Sequence, residues 1–462
     1  MLYTNTSPPV IVRDVIVVGS SILDFPAVPA MPPGDVRGFD VRKGQKLWTF
    51  RAVPSPGEVG HETWESDAWR VTGNTNVWAR MSADEELGYV YLPFSTPAND
   101  YDGGDRPGDN LFAETLVCVE ARTGKRVWHY QIVRHGVWDY DLPAAPNLID
   151  VTLDGKSIKA VAQVTKQGFV FTFDRVTGAP LWPIEDRPVP QSAVAGEKTA
   201  PTQPFPTKPP AFEIQGDPRS GPDRLHAGAQ VASARDHRQV RPWAALHAAD
   251  GAWDHPDARH RRRRDLVGRG VGPRAATYYV TTYRLPFVIR LVPPPDGFSP
   301  TRYVGRFDVL PGPNRLPLFK PPWGSVVAID MSRGEHRWRA PVGTGPRNHP
   351  ALALANVPER LGWTTRSFCA GDEIAAVRRE PGVPRAGASG PVLAATARAR
   401  PHRRGAKALR VRQDDRQAPR RDPAALERHR RPDDLPHQRQ AAHRVRRRRG
   451  EHHRGADRAE VA

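Results

Sequence analysis

Residues 135–147 read HGVWDYDLPAAPN, and within them Asp139 and Asp141 stand two apart, interleaved with Trp138 and Tyr140. Carboxylates presented to a cavity can take a proton from a substrate. On a polar strand edge the same pair only holds water. Extended geometry alternates side chains, so both acids would share one face and both aromatics the other. Leu142 precedes Pro143 and is thereby biased towards extended backbone. The stretch reads as the end of a strand, and its surroundings must decide between cavity and solvent.

Those surroundings carry a repeat. FDVRKGQKLW (39–48), VEARTGKRVW (119–128), FDRVTGAPLW (173–182) and IDMSRGEHRW (329–338) align without gaps. Each has an acid (Asp40, Glu120, Asp174, Asp330), a glycine four residues later and a tryptophan eight residues later (Trp48, Trp128, Trp182, Trp338). The physics is that of a hairpin. A strand ends at the acid, whose side chain accepts turn N–H groups. The glycine supplies positive φ, and the returning strand delivers a tryptophan between sheets. Four such units imply stacked or radial sheets, most naturally a β-propeller, against the alternative of unrelated hairpins in a sandwich. The tryptophans are spaced 80, 54 and 156 residues apart. Long inserts such as STPANDYDGGDRPGDNLFAE (95–114) and TAPTQPFPTKPPAF (199–212) therefore interrupt the repeat, and inserts are where a site is built.

The bulk composition agrees with an all-β chain. Its 462 residues include 49 prolines and 39 glycines, which favour many turns over long helices. Two cysteines, Cys118 and Cys369, make no disulfide framework. No apolar run approaches a membrane span, and the N-terminal residues MLYTNTSPP carry no signal-peptide pattern. The formal charge of +18 would ordinarily point to nucleic acid. That charge is concentrated in two stretches. Residues 217–276 contain a dozen Arg and no Lys, Ile, Phe, Tyr, Asn, Met or Glu; residues 378–462 lack Phe, Tyr, Trp, Ile and Asn. Neither has a period that could bury a face. A basic binding tail is one reading. GC-rich DNA translated out of frame is the preferred one, because Lys is nearly missing and one permitted back-translation of 431–462, slid by a base, yields strand-like text with an Asn-Gly turn. The charge is therefore no evidence for a nucleic-acid partner.

The in-frame parts resemble the pyrroloquinoline-quinone (PQQ)-dependent dehydrogenases, closest to the membrane-bound type of quinoprotein glucose dehydrogenase. The stretches that carry the resemblance include VVGSSILDF, GNTNVWARMSADEELGYVYLP, RHGVWDYDLPAAPNL, AQVTKQGFVFTFDR and WGSVVAIDMSRGEHRW. The resemblance implies an eight-bladed propeller, incomplete here, holding PQQ and Ca²⁺ or Mg²⁺. It implies that a carboxylate takes the hydroxyl proton while hydride passes to the quinone. By position Asp139 matches the catalytic base and Asp141 its neighbour. Lys166 matches the basic residue beside the quinone oxygens, Trp78 the aromatic floor and Thr96 a hydroxyl contact to the cofactor. Asp24 matches an acid near the metal, although Phe25 stands where some relatives have Asn. His135 is expected to order its loop rather than bind metal.

The expected organisation is propeller blades with the cofactor motifs over 1–216, an irregular out-of-frame segment over 217–276, a further propeller segment over 277–366 and an Arg-rich out-of-frame tail over 367–462. By that resemblance the expected function is oxidation of an aldose sugar or other alcohol, with electrons passed to a quinone, in the periplasm or at the periplasmic face of the inner membrane. The alternative is an inactive propeller fragment from a damaged gene. The coding DNA tests the out-of-frame reading. Family-like text is expected in a neighbouring frame across both Arg-rich stretches, and its absence from every frame contradicts the reading.

Overall fold

The computed structural model describes residues 3–215, 271–272, 276–284, 287–309, 312–317, 319–352 and 357–363. The Arg-rich tail assigned to 367–462 lies outside them. So does the 217–276 segment, apart from Ala276 and Val271–Gly272, which pair with Thr277–Tyr278. Among the described residues there are strands and short 3-10 turns and no α-helix.

Consecutive antiparallel sheets make up the fold. The first joins Val10–Val12, Val15–Val18, Val36–Asp40 and Lys46–Phe50 in that order. The second joins Ser82–Asp84, Tyr89–Pro93, Thr115–Glu120 and Arg126–Gln131. The third has three strands, Asn147–Leu153, Lys156–Val164 and Val170–Asp174. The fourth joins Val271–Gly272, Thr277–Tyr283, Gly324–Asp330 and Glu335–Pro341. Each is antiparallel throughout, with strands of other ribbons intervening in sequence within the first and fourth, and three further two-stranded ribbons accompany them.

Inner strands are buried on both faces, which explains their nearly continuous apolar runs. Val90 and Leu92 pack with Val17 and Val36 of the first sheet. Tyr91, one residue out of phase, packs with Phe171 and Phe173 of the third. Within the third sheet, Ala160 and Ala162 turn instead to Val280 and Val327 of the fourth. A period of two thus sends alternate residues to successive cores, and each sheet serves two neighbours.

The repeat forms the joints. At all four sites the glycine has positive φ, between 65° and 77°, and its N–H donates to the carbonyl oxygen of the acid. Asp40, Asp174 and Asp330 each accept two turn N–H groups on Oδ1. The tryptophan then reaches into the next sheet. Trp48 Nε1 donates to Ala121 O at 2.8 Å and Trp128 Nε1 to Arg175 O at 3.2 Å, in both cases the residue after the next repeat's acid. A Cβ on Gly124 would lie 2.4 Å from the Trp48 ring, and one on Gly178 2.6 Å from Trp128. The glycine therefore does two things: it makes its own turn and it clears a seat for the preceding tryptophan. Trp182 continues the pattern against Gly334, at 3.1 Å. The third unit differs in its return arm, which makes one bridge, Phe173 to Pro180, instead of a strand.

Two substitutions test this joint. Trp128→Ala should cost about 3–5 kcal/mol, the usual range for emptying a buried tryptophan site. Gly178→Ala should also destabilise, because it adds positive-φ strain to a clash with the Trp128 ring. Urea unfolding of both variants is the measurement, and a Gly178→Ala protein as stable as the parent would contradict the joint.

Candidate active site

Four segments meet around one buried ammonium and the two carboxylates that hold it. Lys166 sits in the tight turn between Lys156–Val164 and Val170–Asp174, closed by Thr165 N–H to Phe169 O at 3.0 Å and by Gly168 at φ 87°. It is 2% exposed, yet its Nζ donates to Asp139 Oδ1 at 2.8 Å and to Asp141 Oδ2 at 3.3 Å. The two acids come from the loop between the second and third sheets. Trp78 comes from the segment between the first and second sheets, and its Nε1 donates to Asp141 Oδ2 at 3.0 Å. Thr96 starts the long insert within the second sheet, and its N–H donates to Asp141 Oδ1 at 2.7 Å.

The strand expected for the acid pair is absent. Residues 132–146 form an irregular loop, and Asp139 itself has φ 55°, a left-handed conformation. The acids converge on Lys166 from this bent backbone, not from one strand face. Trp138 and Tyr140 nevertheless lie together, with ring centroids 5.8 Å apart and planes 26° apart. Pairing strands could not hold the loop, so side chains hold it instead. His135 Nδ1 donates to Gly108 O at 2.7 Å, and the buried Arg106 guanidinium bonds Asn110 Oδ1 and the carbonyls of Asn99 and Gly136. His135 thus orders its loop.

Lys166, Asp139, Asp141, Trp78 and Thr96 form one connected group. Asp24 is the outlier: it is exposed, and its carbonyl accepts from Asp100 N–H at 3.3 Å. Burial raises the pKa of Asp141, but Lys166 and the Thr96 amide outweigh it, so the carboxyl titrates below its usual range. Asp100 behaves oppositely. Burial and the nearby charges of Asp24, Asp139 and Asp141 push it well above the usual range, against the pull of Lys166.

Three members of the neighbourhood were not legible as site residues in the sequence. Tyr101 Oη donates to Asp139 Oδ2 at 3.3 Å. Glu114 is fully buried, with Oε1 2.9 Å from Thr96 Oγ1 and accepting from Tyr140 N–H at 3.1 Å. Asp100 is buried, and its Oδ1 has no hydrogen-bond partner among the described residues. All three belong to the insert 95–114, whose length was its only signal.

A flat, polycarboxylated quinone fits part of this arrangement. Lys166 offers a buried cation, the half-buried Trp78 part of an indole surface, and Asp139 a base. A metal fits less well, because no cluster of three or more His, Cys, Asp or Glu among the described residues could hold one. No step below passes through a metal.

Stacked antiparallel sheets joined by tryptophans are the arrangement of a β-propeller. Residues 1–372 match the PQQ family model described as glucose/ethanol/alcohol dehydrogenase, beta-propeller domain, and the chain belongs to that family. It is 30% identical over 380 residues to a quinoprotein glucose dehydrogenase of Escherichia coli (strain K12), covering 76% of this chain and 46% of that protein. It is 39% identical over 206 residues to a quinoprotein glucose dehydrogenase of Gluconobacter oxydans (strain 621H), covering 44% of this chain and 25% of that protein. The chain thus spans about half, or less, of the length of these relatives. Quinohemoprotein alcohol dehydrogenase ADHIIG from Pseudomonas putida HK5 shares the fold, with a TM-score of 0.50 at 22% identity over 73% of this chain and 46% of that one. Among the described residues no helix is long and apolar enough to cross a membrane.

Removing the ammonium tests the electrostatics. Lys166→Met leaves two adjacent buried carboxylates without a cation and should cost about 3–5 kcal/mol at neutral pH. The sign with pH follows from Asp141. Its pKa is depressed by folding, so its contribution is present above the unfolded value of about 4 and lost as pH falls through the lower folded value. Parent and variant should therefore begin to converge in stability as pH falls below about 4, and converge fully only below the lower folded value. Unfolding midpoints between pH 3 and 7 measure this, and a pH-independent gap would contradict it.

Proposed function

We propose that this chain provides the PQQ-binding and base-bearing part of a quinoprotein dehydrogenase that oxidises a sugar, glucose first among the candidates, or another alcohol. The observation that carries the reading is the buried Lys166–Asp139 contact of 2.8 Å, tied through Asp141 to Trp78. Family membership supports it independently.

Bound PQQ would supply an ortho-quinone able to accept two electrons as hydride. The chain's own residues account for the rest. Asp139 takes the hydroxyl proton of the substrate, so that the C–H bond can release hydride. Tyr101 Oη and Lys166 Nζ hold the two oxygens of Asp139 and orient its carboxylate. Lys166 would also offer its ammonium to the quinone oxygens and would stabilise negative charge there, an effect strengthened by its burial. Asp141 does not act on substrate. It fixes the Lys166 ammonium and the Trp78 indole in one geometry and neutralises part of the charge. Trp78 is assigned the face of the ring system. Thr96 is assigned to the cofactor's edge, where its hydroxyl must be shared with Asp141. Asp24 is assigned to the cation, Ca²⁺ or Mg²⁺, with the remaining ligands supplied by the cofactor and by other parts of the protein. Electrons would leave to a quinone acceptor, and the setting would be periplasmic.

Reconstitution with PQQ and Ca²⁺ or Mg²⁺, followed by dye reduction with glucose and simple alcohols, is the test. Asp139→Asn should lower kcat by about 10²–10⁴-fold, the usual worth of a general base, with PQQ affinity kept. An active parent whose Asp139→Asn variant turns over equally fast would remove Asp139 from the chemistry. An inert parent that fails to bind PQQ would favour the inactive-fragment alternative.

A further inference from the structure

Glu114 is the most deeply buried acid next to the site, and the reaction as described above does not use it. Its side chain is fully enclosed, and its Oε2 has no hydrogen-bond partner among the described residues. Gly136 lies directly beneath the carboxyl, where any Cβ would collide with it. Two charged groups bear on it, Asp141 and Arg106. The Arg106 guanidinium spends its hydrogen bonds on Asn110 Oδ1 and on the carbonyls of Asn99 and Gly136. Glu114 is thus a buried carboxyl with an anion for a neighbour; Arg106 attracts it, but the Arg106 NH groups bond elsewhere and its buried Nε has no hydrogen-bond partner among the described residues.

Proton counting around Thr96 is decisive. Thr96 Oγ1 lies 3.0 Å from Asp141 Oδ1 and 2.9 Å from Glu114 Oε1. A threonine hydroxyl has one proton to donate, and an ionised carboxylate can only accept. Asp141 is ionised, held so by Lys166 and the Thr96 amide. Were Glu114 ionised too, two acceptors would compete for one proton, and one of the two short contacts would be repulsive. Both contacts are attractive only when Glu114 carries a proton and passes it towards Thr96, whose own proton then points at Asp141.

We propose that Glu114 is a positioning residue of this site, a neutral carboxylic acid that donates a hydrogen bond to Thr96 Oγ1 and thereby aims the Thr96 hydroxyl at Asp141. Its electrostatics agree with the count. Burial first, and Asp141 second, push its pKa up to about 8 against the pull of Thr96, Arg106 and the Tyr140 amide. A charged Glu114 would reverse the arrangement. Thr96 would be drawn away from Asp141, and Asp141, which bonds both Lys166 and Trp78, would lose a donor. Alkaline pH should therefore loosen the Lys166–Trp78 geometry from behind, through the charge on Glu114. The consequence for turnover rests on the proposed dehydrogenase reading, whereas the protonation state does not.

Infrared difference spectroscopy on the whole chain reads the proton directly. Subtracting the Glu114→Gln spectrum from the parent's at about pH 6.5 should leave a protonated-carboxyl C=O band, and in the parent that band should fade as pH passes about 8. Thr96→Val provides a second reading that does not require the Gln variant to fold, because loss of the acceptor should shift the band to higher frequency. In the PQQ-loaded protein, Glu114→Gln should move the alkaline limb of the rate profile up by at least about one pH unit, since the amide can donate to Thr96 at every pH. No carboxylic-acid band at pH 6.5, or a band unmoved by both substitutions, would overturn the inference. A band that behaves as expected in a chain that does not bind PQQ would leave Glu114's role intact and remove the quinone reading instead.

Discussion

A lysine ammonium buried to 2% exposure must be paired, and here it is paired twice. That requirement ties the molecule together. Lys166 belongs to a turn of the third sheet, Asp139 and Asp141 to the loop that enters that sheet, Thr96 to the second sheet's insert and Trp78 to the segment before the second sheet. None of these places is close to another in sequence, and no single hairpin could assemble them. The whole group exists only if the second and third sheets keep a fixed spacing. A cation left without its acids, or acids without their cation, would cost several kcal/mol, a large fraction of the stability of an ordinary domain.

The spacing is set by the tryptophan joints. The Trp48 and Trp128 indoles each cross from their own hairpin to the turn of the next, donate to a carbonyl there and rest on a glycine that has no Cβ to obstruct them. The acid, glycine and tryptophan of one repeat therefore answer to two constraints at once, a local turn and a distant seat. This double use explains why the three residue types recur at fixed offsets although the chain between repeats varies from tens of residues to well over a hundred. Rigid joints also let the inserts be irregular. The loop that carries Asp139 has no strand partner and is held by buried side chains such as Arg106 and His135, which suits a segment that must present a carboxylate from a left-handed backbone.

Much of this was legible in the sequence, and what was not has a common cause. The hairpins could be read because a turn is local chemistry: an acid, a glycine and the strands around them lie within ten residues. Only the structure shows that inner strands such as Tyr89–Pro93 are buried on both faces. Asp139, Asp141, Lys166, Trp78 and Thr96 could be listed together because they resemble family positions, and the structure gathers them into one hydrogen-bonded group. The strand drawn through Asp139 and Asp141 was wrong because period-two spacing of acids and aromatics cannot distinguish a strand from a loop pinned by tertiary contacts. Glu114, Asp100 and Tyr101 passed unnoticed because their significance comes from contacts made across the fold. In sequence they are ordinary residues of a long polar insert, and burial of a carboxyl is not a local property.

The central claim is that the ammonium of Lys166, held by Asp139 and Asp141, faces a bound quinone with Trp78 against its ring. An experimental structure of the chain crystallised with PQQ tests it most directly. The account predicts quinone oxygens within hydrogen-bond distance of Lys166 Nζ, the ring plane lying on the Trp78 indole, and a free edge of Asp139 open to substrate. PQQ seated away from Lys166, or Lys166 still enclosed by its two carboxylates with no access to the cofactor, would contradict it.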